Sequence, residues 1–173
     1  MKKLLMIITL VILLCFTFSC QKQGEEVAEE PVIDIEAEKA AVKTVLEEWI
    51  QCFETEDMEL ASKIIAPDDD LVVFGTDAAE HFIGWELFKE SLQKQFDAAE
   101  NVDASIREEL VKVHKSGEVA WISCLLDMEV TSLGESFSLE GMRLTGVMEK
   151  RNGNWVIVQL HASVPVAGQA VKY

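Results

Sequence analysis

The sequence predicts an α+β domain in which a curled antiparallel sheet is covered on one face by helices, in the order ααβαββββ. Three observations predict it. Between Ile35 and Glu54 the residues Val42, Val45, Leu46, Trp49, Ile50 and Phe53 recur at helical spacing with Glu and Lys between them, the pattern of an amphipathic helix. From Ser105 onward, four long segments alternate in residue character and are separated by KSGE, SLGE and RNGN, short glycine-bearing turns that suit hairpins. An isolated apolar run, LVVFG, stands between two helical patterns. Four long strands in a meander curl, and the helices that come first must cover one face.

Taken in order, the chain opens with Lys2 and Lys3, then the apolar run Leu4 to Phe18, then Ser19 and Cys20. A basic start followed by about fifteen apolar residues reads as a secretory signal, short of the roughly 20 needed to span a bilayer. Phe18-Ser19-Cys20 resembles a bacterial lipoprotein box, which implies that residues 1–19 are a signal peptide and that Cys20 is lipidated and becomes the first mature residue. The protein is then expected in the bacterial cell envelope, anchored by lipid on the periplasmic leaflet or the cell surface. Residues 20–34 are rich in Glu and poor in bulky apolar groups, so they are expected to form a flexible acidic tether.

The whole chain carries a formal charge of −16, and removal of Lys2 and Lys3 with the signal takes it to −18. Such a protein is repelled by phosphate backbones and anionic lipid, which argues against nucleic-acid binding and electrostatic docking to a membrane. The folded part, residues 35–166, is of ordinary size for one domain, with 167–173 as a tail. Of the four cysteines, Cys52 and Cys124 fall inside it among core-type neighbours. They are expected to be unpaired buried thiols, although the compartment permits a disulfide. Neither a CxxC pair nor Cys/His ligand spacing occurs, and there is no phosphate loop or nucleophile elbow, so no metal and no cofactor is expected.

Asp57 is placed to cap a second, short helix through Leu60, Ile64 and Ile65, ended by Pro67 and Asp68-Asp69-Asp70. The acidic run lacks the rest of a calcium loop and reads as a solvated turn. After the LVVFG strand comes a loop, TDAAEHFI, in which Asp77, Glu80 and His81 are read as capping and solvent-facing rather than metal-binding. A third helix opens near Gly84, with Leu87, Phe88, Leu92 and Phe96 on one face. The strands are then Ser105 to His114, Val119 to Thr131, Ser136 to Lys150 and Trp155 to Val164. In the last, Val156, Val158, Leu160, Ala162 and Val164 form a core face, while the other begins apolar at Trp155 and Ile157 and turns polar at Gln159, His161 and Ser163.

Counting by twos places Arg143 with Thr145 and Val147, and Trp121 with Ser123, Leu125 and Asp127, beside His161 on neighbouring strands. These groups converge in one place unless a bulge shifts the parity. In one reading Asp127 or His161 is a base and Arg143 stabilises an anion or enolate. In the other, Arg143 and Asp127 form a structural ion pair and His161 bonds to backbone.

The element order, the stretch FGTDAAEHFIG and the terminal W-x-I-x-x-x-H-x-S-x-P resemble the SnoaL-like branch of the nuclear transport factor 2-like superfamily. The resemblance covers residues 36–166 and is carried by Phe74-Gly75-Thr76-Asp77, Glu80, Gly84, Arg143, Trp155, His161, Ser163 and Pro165. His81-Phe82 departs from the aromatic and basic pair often found there. It implies a cone-shaped sheet wrapped on the first helix, with a pocket between the concave face and the helices, and pairing of many relatives as dimers through the outer face. On that footing the polar end of the last strand is expected at the pocket, with Arg143 and His161 lining it. Trp49, Phe53, Phe74, Trp85 and Phe88 are the expected aromatic walls, and Trp121 joins Arg143 and His161 as a candidate ligand contact. The expected function is binding of a small, partly apolar ligand by a homodimer. The alternatives are an isomerase or dehydratase that abstracts a proton in the same pocket, and an association module.

Overall fold

Asp34 begins the fold by accepting hydrogen bonds from the backbone N–H groups of Glu36 and Ala37, both at 3.1 Å, and so caps the first helix, α1 (Ile35–Thr55). The computed structural model describes residues 32–169 and residue 171, of which those from Ile33 onward belong to one compact unit. Residues 1–31, which include the expected signal, Cys20 and most of the expected tether, lie outside the described residues. One side of α1 buries Val42, Val45, Leu46, Trp49 and Ile50, as the helical period requires. The helix ends at Glu56, in the left-handed region at φ 54°, and Asp57 at once caps α2 (Met58–Ile64) through Leu60 N–H at 2.9 Å.

Three residues of LVVFG form β1 (Val72–Phe74), and the following loop contains a strand not anticipated from sequence, β2 (His81–Ile83). Gly84 then stands at φ 89°, with its N–H bonded to the Leu71 carbonyl. A side chain at that φ is strained, and the position leads into α3 (Trp85–Ala98). The meander follows as β3 (Ala99–Val113), β4 (Val119–Ser132), β5 (Glu135–Arg151) and β6 (Asn154–Ser163). β3 starts six residues before its expected position.

The strands form one curved, unclosed six-stranded sheet in the order β2-β1-β6-β5-β4-β3. It is mixed rather than wholly antiparallel, because β1 runs parallel to β6. That pairing places the short strand produced by the α2–α3 connection beside the last strand of the meander. Register shifts at Arg107/Leu110 in β3, Leu126/Met128 opposite β5, and Val147/Met148 opposite β6 mark bulges, which increase twist and bend the sheet.

The β6 bulge corrects the expected faces of the last strand. Ile157 pairs with Met148 while Gln159 pairs with Val147, so Val158 is the extra residue. Parity reverses there: Trp155 and Ile157 are buried before the bulge, and Leu160 after it. The concave face therefore runs Trp155, Ile157, Leu160, Ala162; Val156 is buried on the other side of the strand, and Val158 is displaced as the bulge residue.

Candidate functional site

A cavity of about 160 Å³ lies between the concave face of the sheet and helices α1 and α3. The α1 side is supplied by Trp49 and Ile50 with Phe53 one helical turn further on, and the α3 side by Phe88 and Gln95. The sheet contributes Val73 and Phe82 from β1 and β2, and Leu126, Met142, Leu144 and Leu160 from the long strands. Val73, Phe82 and Leu160 share a face as cross-strand partners, and Met142 and Leu144 because they are next but one along β5. Trp49 meets Phe53 edge-on at 4.8 Å between centroids, and Phe53 meets Phe96 edge-on at 5.4 Å. Such edge contacts hold aromatic walls in fixed orientations.

The polar part of the lining is confined to Gly75, Thr76, Glu80 and Gln95. Three of these belong to the connection between β1 and β2, which closes as a tight loop: Gly75 N–H donates to the Glu80 carbonyl at 2.8 Å, and Glu80 N–H to the Asp77 carbonyl at 3.0 Å. The Glu80 carboxylate folds back so that Oε2 accepts from Asp77 N–H at 3.0 Å and from the Thr76 hydroxyl at 3.4 Å. Gly75 makes room for this. A Cβ there would stand 2.7 Å from the Glu80 Cβ, closer than real Cβ contacts.

Of the residues expected at the site, Trp49, Phe53 and Phe88 line the cavity from its inner side, and Phe74 borders it at the end of β1, next to the inward-facing Val73, with its ring turned to the convex face. Trp85 is buried against Phe88, at 6.4 Å, and is not part of the lining. Trp121, Asp127, Arg143 and His161 are brought to one face of the sheet as the period-2 count predicts, but it is the convex face. Arg143 and His161 are exposed, and their strand neighbours Leu144, Leu160 and Ala162 are the ones that line the cavity. The physical reason is that the concave face packs on apolar helices and takes apolar residues, whereas the convex face is free to be polar.

Asp127 is not paired with Arg143. Its carboxylate receives Arg107 Nε at 2.7 Å and Gly141 N–H at 2.6 Å. The Arg107 hydrogen bond, helped by Gly141, holds its carboxyl below the usual range, so Asp127 serves to fix the bulge at Gly141 (φ 65°). On the convex face Phe74 stacks on His81 at 4.4 Å and meets His161 edge-on at 5.8 Å. Lys112 Nζ stands 5.3 Å above the Trp121 ring. Cys52 and Cys124 are free and buried. Asp68 binds Arg151 rather than facing solvent alone.

Glu80, expected on a solvent-facing loop, is half-buried in the cavity lining. The signal available was Gly75 five residues before it, bracketed by two strand-forming runs.

A family model described as SnoaL-like domain matches residues 42–167. The fold is similar to that of a nuclear transport factor 2-like superfamily protein from Salmonella enterica serovar Typhimurium, with TM-score 0.70 and 16% identity over 80% of this chain and 99% of that one. It is similar also to a candidate dehydratase of the same superfamily from Streptomyces avermitilis, at TM-score 0.66 and 18% identity over 77% and 99%. A third similar structure is the association domain of C. elegans CaMKII, at TM-score 0.60 and 19% identity over 75% and 98%. No curated protein matches the chain.

Proposed function

Because the chain belongs to the SnoaL-like domain family, we propose that it is a lipid-anchored envelope protein whose cavity binds a small, largely apolar molecule. The observation that carries this reading is the composition of the lining, which is aromatic and aliphatic except for Gly75, Thr76, Glu80 and Gln95. Concave apolar sites with a few polar groups at one end are the usual form of small-molecule sites. Proton abstraction, the chemistry suggested by the dehydratase among the similar structures, needs a tuned acid or base beside the reacting atom. Among the described residues no polar or charged side chain is buried, and Glu80 at the mouth is the one titratable side chain in the lining. Binding without turnover is therefore the favoured reading.

A homodimer through the convex face is part of the proposal. Trp121 and Leu110 are 41% and 69% exposed there, and Phe74 and Ile83 are also exposed. That is an apolar content which a second copy of the same face would remove from water. The lipid anchor on Cys20 rests on the sequence Phe18-Ser19-Cys20 behind an apolar run.

The cavity reading is tested by native mass spectrometry of the full chain, purified in detergent, with and without Ala162→Phe, which fills the cavity from β6. A small molecule retained by the natural chain and lost by the variant is the expected result. A natural chain that retains nothing and takes up no small aromatic probe overturns it.

A further inference from the structure

We infer that the cavity is selective for molecules with an apolar body about the size of one aromatic ring and a cationic hydrogen-bond donor at one end, and that the Glu80 carboxylate is the selecting group. This deepens the binding reading and rests on it. The size follows from the volume: a cavity of about 160 Å³ is comparable with the roughly 150 Å³ apolar cavity that takes up benzene.

The polarity follows from how Glu80 is held. Its Oε2 is occupied by donors from its own loop, Asp77 N–H and the Thr76 hydroxyl. Its Oε1 receives no donor among the described residues, and the side chain is half-buried in the cavity lining. One oxygen thus fixes the carboxylate while the other remains available to accept. The loop is pinned at both ends, since Phe74 pairs with His81 and Gly75 N–H bonds to the Glu80 carbonyl. The acceptor is therefore positioned before any ligand arrives, which is the arrangement that gives orientation at little entropic cost.

The sign follows from the absence of compensation. Among the described residues no lysine, arginine or histidine lines the cavity, and the chain is strongly acidic. A ligand carboxylate at the mouth meets an unpaired like charge, whereas an ammonium makes a charge-assisted hydrogen bond, the stronger kind. Arg143, the one cation expected to receive an anionic ligand, lies on the opposite face of the sheet, so an anion would find only the neutral donors of Thr76 and Gln95 in the lining, beside the Glu80 charge.

The test is titration calorimetry of the full chain in mild detergent with four probes of one shape: benzylamine, benzyl alcohol, toluene and benzoate, each corrected for titration into empty micelles. The expected order is benzylamine above benzyl alcohol, with benzoate weakest, and benzylamine favoured over benzoate by about tenfold or more, as a charge-assisted hydrogen bond warrants. Glu80→Gln should reduce that ratio to near unity while leaving toluene unchanged. In the natural chain the ratio should also shrink between low and high salt, a measurement that stands even if the variant does not fold. Toluene binding accompanied by equal affinities for benzylamine and benzoate, or by a ratio that neither Glu80→Gln nor salt alters, overturns the assignment of Glu80 and leaves the cavity intact as a binding site. Failure of all four probes to bind overturns the cavity reading itself.

Discussion

The Trp155 indole N–H donates to the Glu38 carboxylate at 2.9 Å, and the other oxygen of the same carboxylate receives Lys150 Nζ at 2.6 Å. One acidic residue in the first turn of α1 thereby fastens the helix to both strands of the last hairpin. Glu38 has 17% of its side chain exposed and Trp155 is buried, so removing the carboxylate leaves an indole donor without its partner. Glu38→Ala is expected to cost about 1–3 kcal/mol, the usual penalty for an unsatisfied buried group. Chemical denaturation of variant and natural chain measures it, and an unchanged midpoint would show that water replaces the carboxylate.

Arg151 joins β5 to the acidic turn after α2. It donates to Asp68 from Nη1 at 2.7 Å and contacts Glu149 from Nη2 at 2.8 Å. The Arg151 hydrogen bond holds the Asp68 carboxyl below its ordinary 3.8. A carboxyl depressed in the folded state stabilises fully above its unfolded value and loses that contribution as pH falls through the folded one. Arg151→Met should therefore be less stable than the natural chain at neutral pH, with the gap closing below about pH 4. Urea melts across pH 3 to 7 check this. A gap constant across the range would show that the loss is one of packing.

Burial pushes the Cys52 thiol up to about 12 and the Cys124 thiol up to about 11. Thiolate is the reactive form, so both side chains should resist alkylation at pH 8 in the folded protein and react once it is unfolded. Peptide mapping by mass spectrometry after a short iodoacetamide pulse reads each site separately. Rapid labelling of either in the folded state, or a Cys52–Cys124 bridge, contradicts the expectation.

Long-period signals were legible in the sequence and local breaks in period were not. Helical spacing located α1 to within a residue, and the turns KSGE, SLGE and RNGN located the hairpins, because each depends on many residues acting together. The face of the last strand was misassigned at Val158, since a bulge there is a one-residue event with no marker in GNWVIVQLHASVP. The grouping of Arg143, His161, Trp121 and Asp127 was readable, but not which side of the sheet they occupy. That is decided by where the helices pack, and the apolar set Leu126, Met142, Leu144 and Leu160 outcompetes the polar one for the covered face. Glu80 was missed because its position depends on backbone hydrogen bonds within its loop, which leave no periodic trace.

Membrane attachment is predicted to depend on one atom, the Cys20 sulfur. Cys20→Ala should leave the precursor unprocessed or release the chain from the detergent phase on phase partitioning, with the folded body unaffected. Unchanged processing and partitioning would mean that the apolar segment itself, or another group, holds the protein.

The two faces of the sheet should separate binding from assembly. His81, Phe74, His161, Thr145, Ser123 and Leu110 stand in one cross-strand row on the convex face, each directly paired with the next. If this row meets its counterpart in a second copy, Thr145→Glu at its centre places like charges in the contact, and light scattering at tens of micromolar should fall from the dimer mass to the monomer mass. His161→Ala and Arg143→Ala, exposed and away from the cavity, should each change stability by no more than about 0.5 kcal/mol and leave probe binding as it was. Ala162→Phe, one residue from His161 but on the concave face, should do the reverse. It fills the space the ligand needs, at an overpacking cost of about 1–3 kcal/mol, and leaves the dimer mass unchanged. Loss of probe affinity in His161→Ala or Arg143→Ala would mean that ligands reach the convex face. Retained affinity in a folded Ala162→Phe would mean that the cavity is not where they bind.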